Sequence, residues 1–586
     1  MVGFGKLSGL RAWVRRHKTE GAERVEERVP AAMSTKDQDG EPAFDRTMPS
    51  GRRLRVQPID SSALTASAGA EVDRVARVGA LLPDLEALKT LLASAGALEV
   101  VRYRNEPVSG LCDHSGRVGV GSIFFAIPGH EADGARFAIE AVGRGAVAVV
   151  AERVLPVPVP CFVVEDVRRA SGLVAARFYG DPSAHLAVIG VTGTNGKTTV
   201  TDLLRLCLED DGRPVGSLGT IEYRLGTKLN GREHVEAATN TTPGAIDVQR
   251  YLRAMLDRGC KHAVVEVSSH ALDQGRVDAV RFAAALFTNL SRDHLDYHGT
   301  MQAYARSKAR LFEQLGPGKL AVVPVDDKSA LPIRQVLEGH DNVTTWALGS
   351  TRPDSLPPQG THVRGEILRE TTLGTRMRIR TRDGCVDVDL PLIGIHNARN
   401  ALAAMAAAIA LGVGPLRVGA AMARARPVKG RMEAVPGFDA FRVFVDYAHT
   451  PDALEQVLRA LRPMTRGRLR VVFGCGGERD RGKRGRMGQI AATLADHVVV
   501  THDNPRREDP EGILSDILAG VAELPEAHAR VEVSADRRQA IYHVLDSADA
   551  SDTILIAGKG HESGQLIGTT LHSFDDREVA LEWLHR

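Results

Sequence analysis

The stretch AVIGVTGTNGKTTVTDLLRLCL, residues 187–208, decides how the rest of the chain is read. An apolar run, Ala187 to Val191, predicts a short buried strand. The loop Thr192 to Lys197 follows, with two glycines and a lysine. Val200, Leu203, Leu204, Cys207 and Leu208 then recur at helical spacing. Strand, glycine loop, Lys-Thr and helix are the parts of a nucleotide phosphate site. Gly193 and Gly196 let backbone N–H groups approach phosphates. Lys197 would neutralise phosphate charge, and the Thr198 hydroxyl would ligate Mg²⁺ beside the helix N-terminus. Val191 stands where the strict eight-residue pattern has its first glycine. A plain glycine turn is the alternative, and the flanking strand and helix favour the phosphate site.

The chain has 586 residues, room for about three to five domains by the usual domain size. Hydrophobic content of 43% and charged content of 25% are those of a soluble globular protein. A formal net charge of +2 gives no reason to expect nucleic acid or an anionic membrane as partner. The six cysteines (Cys112, Cys161, Cys207, Cys260, Cys385, Cys475) show no paired C-x-x-C spacing, which points to a reducing compartment, not to disulfides or structural zinc. The longest apolar run, near Ala401 to Val413, is too short to span a membrane and reads as a buried Ala-rich helix. A soluble, cytoplasmic, multidomain α/β protein is expected.

Residues 1–92 look unlike the rest. Lys6, Arg11, Arg15, Arg16 and Lys18 accompany Phe4, Leu7, Leu10 and Val14 on a short helix-like segment, and a polar stretch, Ser34 to Arg53, follows. A targeting or membrane-surface helix, a disordered extension, and a start upstream of true initiation near Met33 or Met48 are the competing readings. A disordered extension is the expectation. From residue 93 to 183 the strands Ser122 to Ile127, Ala146 to Val150 and Cys161 to Val164 make a compact α/β unit. A purely structural role suits that unit as well as anion binding does.

Residues 184–426 repeat one grammar, an apolar run ending in a polar tail: Ala263-Val264-Val265 into Glu266, and Ala284 to Phe287 into Asn289 to His294. Such runs predict parallel strands with functional side chains at their carboxyl ends. Glu266 and His294 would then lie near the phosphate loop. His294 alone would pass for a structural histidine, and Lys308, on a helix expected over Met301 to Leu315, for a surface lysine. Residues 427–586 repeat the grammar without a phosphate loop, predicting a second doubly wound domain. Its tails gather Asp446, Arg479, Asp503, Asn504, Pro505, Arg506, Gly558 and Glu562. Arginines there suit a carboxylate and Glu562 an ammonium, so an amino acid would fit between them.

Gly193-Thr194-Asn195-Gly196-Lys197-Thr198-Thr199, Asn240-Thr241-Thr242-Pro243, Glu266-Val267-Ser268-Ser269-His270, Asn289 to Asp296, His396 to Asn400 and Asp446 to Thr450 together resemble the Mur ligase family. The resemblance runs from about Val108 to the C-terminus. Within the family it is nearest the members that add 2,6-diaminopimelate to UDP-N-acetylmuramoyl-L-alanyl-D-glutamate. It implies three α/β domains: a small N-terminal one, a central phosphate-loop ATPase with a parallel sheet, and a C-terminal Rossmann-like one. It also implies ATP as co-substrate, Mg²⁺ as cofactor, an acyl-phosphate intermediate, a role in peptidoglycan precursor synthesis, and a monomer.

Residue by residue, the resemblance implies Mg²⁺ on Thr198 and Glu266, with a second ion on His294 and an N6-carboxylated Lys308. Lys197 would hold the transferred phosphate. Gly193 to Thr199, Asn397, Arg431 and Asp446 would contact ATP. Ser115, Gly129, His130 and Glu131 would bind the uridine diphosphate, and Asn240, Thr241, Thr242, Ser268, Gln274 and Arg276 the muramoyl peptide. Arg479, Asp503 to Arg506, Gly558 and Glu562 would bind diaminopimelate. One departure stands out: the usual Asp-Ser-Arg of the first domain reads His114-Ser115-Gly116 here, so the aspartate and arginine are absent or supplied elsewhere. L-Lysine or another diamino acid, a folylpolyglutamate-synthase-like amide ligase, and a non-catalytic descendant are the alternatives. Arg506 argues against lysine, the Asp-Asn-Pro-Arg stretch against the second, and the retained Lys197, Glu266, His294 and Lys308 against the third.

Overall fold

The computed structural model describes residues 82–586 apart from 97, 130–131, 228–232, 350–360 and 526–528. The polar stretch and the basic segment expected before residue 82 lie outside the described residues, as do His130 and Glu131.

Three sheets carry the described chain. The first orders its five strands Leu98–Val101, Cys161–Val164, Ala146–Ala151, Ser122–Phe125, Gly110–Cys112, parallel except where the first pairs antiparallel. The helix Leu85–Ala95 packs Leu85, Leu88 and Leu92 into its core beside Phe125, Val150 and Phe162, with Asp84 capping its N-terminus. This corrects the expected extension over residues 82–92, whose leucines recur at helical spacing and need a buried partner.

The central sheet has eleven strands. Its middle is parallel, and Ala187–Thr192 lies between Phe282–Phe287 on one side and His262–Glu266 on the other. The strand that leads into the phosphate loop is thus flanked by the two whose tails carry Glu266 and His294. The helix Lys197–Asp210 buries Val200, Leu203, Leu204, Cys207 and Leu208, the valine and leucines each contributing roughly 1.5–3 kcal/mol if fully withdrawn from water. It packs on the Ala-rich helix Ile395–Ala410, which is buried along most of its length. Both edges of the sheet are antiparallel hairpins, Glu222–Thr227 with Glu233–Ala237 and Thr361–Thr371 through Leu390, which alternation in the sequence could have revealed.

The third sheet orders Glu433–Val435, Arg442–Asp446, Thr553–Ala557, Leu469–Phe473, His497–Val500 and Arg530–Val533, parallel beyond the first pair. A short hairpin, Gly564–Ile567 with Thr570–Ser573, follows. No helix among the described residues is long and apolar enough to cross a membrane.

Candidate active site

Two glycines shape the phosphate loop. Gly193 has φ +149°, and a Cβ there would stand 1.9 Å from Thr288 Oγ1; at Gly196, φ +85°, it would stand 2.2 Å from Asn400 Oδ1. The loop after the neighbouring strand holds the backbone in place. Thr194 N donates to Asn289 O (2.9 Å), Asn195 N to Asn289 Oδ1 (3.0 Å), and Thr288 Oγ1 to Asn195 O (2.7 Å).

Lys197 folds back on this loop, donating to the carbonyls of Gly193 (3.0 Å) and Thr194 (2.9 Å). Lys308, only 1% exposed, donates to the same Gly193 oxygen at 2.8 Å and lies over the Tyr304 ring. Burial and the neighbouring Lys197 charge hold Lys308 well below the usual lysine range. Sequence alone favoured a solvated lysine; the fold buries it in the site.

Glu266, also 1% exposed, collects three donors. Oε2 accepts from Thr198 Oγ1 (3.1 Å) and Thr220 Oγ1 (2.9 Å), and Oε1 from Thr220 N (3.0 Å). Hydroxyl and carboxylate oxygens converging this way suit a hard cation. His294 begins a short helix at φ 53° and packs edge-on to His270. Burial pushes it down to about 3, and His270 down to about 4, so both are neutral at pH 7. A neutral imidazole can ligate a metal, whereas Lys308 as an ammonium cannot.

Across a cavity of about 280 Å³ lie residues of the third sheet. Arg431 stacks on Tyr447 and reaches Thr198 Oγ1 at 3.4 Å. Asp446 accepts from Met432 N (2.6 Å) and Ala448 N (2.7 Å), while burial raises its carboxyl. Asn397 lines the same cavity, its amide tied to Ile393 O. Asp293, Thr220, Tyr304, Tyr447 and His449 belong to this centre, and sequence reasoning missed them. Asp293 and Tyr447 lay within quoted motifs, but Thr220 carried no signal. Burial raises the Asp293 carboxyl, and the facing His449 with the His294 and Lys483 charges more than offsets that, so it titrates below the usual range.

Bidentate pairing joins Arg292, from the central loop, to Asp480 of the third-sheet loop, both bonds 3.1 Å. Arg506, at φ 55°, donates from Nη1 to Gly477 O (2.7 Å) and makes no hydrogen bond from Nε or Nη2 among the described residues. Asp503 Oδ2 is buried without a partner there. Asn504 Nδ2 donates to Glu562 Oε2 at 2.8 Å, and Gly558 leaves room for Asp503, since a Cβ would stand 2.7 Å from Oδ2. Pro505 is buried behind Gly477. The charge of Arg479 bears on both Arg506 and His270.

Asn240, Thr241, Thr242, Ser268, Gln274 and Arg276 group beside Glu266. Thr242 Oγ1 donates to Glu266 O (2.7 Å), and Arg276 bonds Thr242 O (2.8 Å) and Gln274 Oε1 (2.7 Å). Thr220 Oγ1, whose proton goes to Glu266, accepts from Thr241 Oγ1 at 3.1 Å, and Asn240 is fixed by Tyr223. In the first sheet Ser115 donates to Glu140 Oε2 (3.1 Å), and Gly129 N to Ala132 O. His114 Nδ1 accepts from Gly116 N. Asp113 and Arg117, one residue outside the departing triplet, pair at 2.8 Å, and Arg117 reaches Asp247 at 3.1 Å. An acid and a guanidinium are therefore present at the turn, displaced by one position on each side.

A separate His497–Glu532–His543 cluster lies at the third sheet's edge. Arg470 Nη1 faces His497 Nδ1 at 3.2 Å, and arginine only donates, so Nε2 carries the proton and gives it to Glu532. That neutral tautomer suits a hydrogen bond to the carboxylate, not a metal on Nε2.

Residues 191–408 match the family model described as Mur ligase middle domain, and residues 430–560 the one described as Mur ligase, glutamate ligase domain. The chain is 42% identical over 499 residues to the UDP-N-acetylmuramoyl-L-alanyl-D-glutamate–2,6-diaminopimelate ligase of Geobacillus kaustophilus (strain HTA426), covering 84% of this chain and 98% of that one. It is 44% identical over 482 residues to the like-named ligase of Synechococcus elongatus, covering 81% and 93%. A solved structure of a UDP-N-acetylmuramoyl-L-alanyl-D-glutamate–2,6-diaminopimelate ligase superposes with a TM-score of 0.56 at 34% identity, over 82% of this chain and 95% of that one. By both matched domains and by relatives more than 40% identical over most of its length, this chain belongs to the Mur ligase family.

Proposed function

We propose that this protein is an ATP-dependent, ADP-forming amide ligase that joins 2,6-diaminopimelate to UDP-N-acetylmuramoyl-L-alanyl-D-glutamate in peptidoglycan precursor synthesis. One observation carries the acceptor's identity: a partly exposed Arg506 guanidinium, with no hydrogen bond from Nε or Nη2 among the described residues, stands within reach of the Asp503 and Glu562 charges. Such a grouping fits an amino acid with an extra carboxylate at its far end. Residues 82–183 would bind the uridine diphosphate sugar, 184–426 ATP, and 427–586 the acceptor. The setting is cytoplasmic.

The D-glutamyl carboxylate oxygen attacks the γ-phosphorus, ADP leaves, and an acyl phosphate forms. The acceptor amine then attacks the acyl carbon and loses a proton, and the tetrahedral intermediate expels inorganic phosphate. Lys197 leaves the loop carbonyls to grip the transferred phosphoryl group. Arg431 approaches from the third sheet, so closure completes the site and excludes water. Arg276, Thr242 and Ser268 orient the dipeptide.

Thr198 and Glu266 would hold one Mg²⁺, and His294 with Lys308 a second; bound Mg²⁺ neutralises phosphate charge during transfer. Lys308 fits only once its neutral amine has added CO₂, releasing a proton and becoming an oxygen-bearing carbamate. Two lysine nitrogens on one carbonyl oxygen, one of them fully buried, support that reading. Labelling with ¹³C-bicarbonate should show a carbamate carbon that is absent from Lys308→Met.

The deciding test is phosphate release with ATP, Mg²⁺ and the UDP-linked dipeptide, run with diaminopimelate and with L-lysine in parallel. Release with diaminopimelate alone is expected. Release with lysine alone would overturn the reading of Arg506, and release with neither would overturn the ligase.

A further inference from the structure

Lys559 is fully buried, at 0% exposure, and cannot touch a ligand in the acceptor pocket. It nevertheless organises the two side chains that line it. Its ammonium donates to Asn504 Oδ1 at 3.0 Å and to Glu562 Oε2 at 2.9 Å. Asn504 Nδ2 donates to that same Oε2, and Leu566 N donates to Asn504 Oδ1 at 3.0 Å. These bonds leave the Asn504 amide one orientation, with its oxygen toward Lys559 and its NH₂ toward Glu562. They also occupy Glu562 Oε2 and leave Oε1 for the pocket.

A buried lysine is costly unless paired, and a packing role alone would be filled more cheaply by an apolar side chain. The chain places it deliberately: Gly558 and Gly560, at φ +114° and +57°, turn the segment so that Lys559 points inward while Glu562 stays 30% exposed.

We propose that Lys559 is a positioning and specificity-determining residue for the acceptor, acting through Asn504 and Glu562. The proposal rests on the acceptor reading above. With the lysine present, Glu562 offers one oxygen in a fixed place. Its positive charge, little screened when buried, also favours an acceptor carrying a second carboxylate over one without it.

The test is Lys559→Met in the full chain, with diaminopimelate varied at saturating ATP and UDP-linked dipeptide. One unsatisfied polar partner should raise KM for diaminopimelate about tenfold or more. kcat and KM for ATP should stay within about twofold, and the preference for diaminopimelate over L-lysine should fall. Combined with Asn504→Ala, the two changes should be less than additive, because one acts through the other. Should Lys559→Met not fold, Lys559→Gln removes the charge while keeping a donor and should show the same split. Unchanged KM in a folded variant, equal losses toward ATP and diaminopimelate, or two variants that both fail to fold would each overturn the inference in favour of a structural lysine. Absence of diaminopimelate turnover by the unaltered protein would instead overturn the acceptor reading itself.

Discussion

The phosphate loop and the proposed acceptor site both stand at the carboxyl ends of parallel strands, yet they are held by different means. Main-chain conformation fixes the first: two glycines at positive φ and a lattice of bonds to residues 288–291. Side chains fix the second: Lys559, Asn504 and Glu562 form one network, and Arg484 clamps Glu508 through two 2.8 Å bonds behind Arg479 and Arg506. On the proposed function, backbone amides would read phosphate, which every nucleotide offers. Side chains can be exchanged one at a time, so the choice of amino acid would be written there. The difference teaches where loss of all chemistry, as against loss of one acceptor, should be found.

The largest effect should come from Gly193→Ala. Its Cβ would collide with Thr288 Oγ1, and its φ is one that alanine rarely adopts. Turnover should fall by roughly 10²–10³-fold with every acceptor, as when a preorganised phosphate-stabilising group is lost. Calorimetry should show ATP binding lost with it. Intact ATP binding would break the claim that this backbone shape is required. Next comes Arg506→Ala, which should cost about 10²-fold in kcat/KM for diaminopimelate, the scale for one partner of a charge pair. ATP affinity should be unchanged. Normal turnover in that variant would remove the physical basis for the acceptor assignment.

How far each region was legible follows from the same contrast. The phosphate loop could be read directly, because strand, glycines and helix adjoin in sequence and local periodicity announces them. Glu266 and His294 needed only the inference that their strands flank Ala187–Thr192, which they do. Lys308 could not be read from physics: its helix shows an ordinary amphipathic pattern, and only tertiary packing buries its amine against Gly193. Thr220 and Lys559 were invisible as site residues, since their roles depend on partners 46 and 55 positions away. The helix Leu85–Ala95 was missed because an unusual N-terminal composition masked its leucine spacing.

A smaller effect should mark the seam between the regions. The Arg292–Asp480 pair links the loop carrying His294 to the loop carrying Arg479. Asp480→Asn should raise KM for both ATP and diaminopimelate by roughly fivefold, the scale of about 1 kcal/mol for a bidentate, partly exposed pair. A change confined to one substrate would show that the regions act independently.

The smallest effect is one of acid stability, and it should separate the two regions along the pH axis. His270 and His294 are held down to about 4 and about 3 from 6.5, in both cases chiefly by burial. His561, near Tyr447 and Arg431, is likewise held at about 3. Between pH 6.5 and these values the unfolded chain binds more protons than the folded one. Stability around the nucleotide site therefore falls as pH drops through that window. Glu508, on the acceptor side, is lowered from 4.5 to about 2, chiefly by its hydrogen bonds from Arg484. Its contribution is complete above 4.5 and is lost only as pH falls from there toward 2. Hydrogen exchange, corrected for intrinsic rates, should show protection around residues 270–298 weakening between pH 6.5 and 4.5 while residues 478–508 hold. Reversal of that order would mean that the side-chain network, not the backbone-built centre, is the weaker of the two in acid.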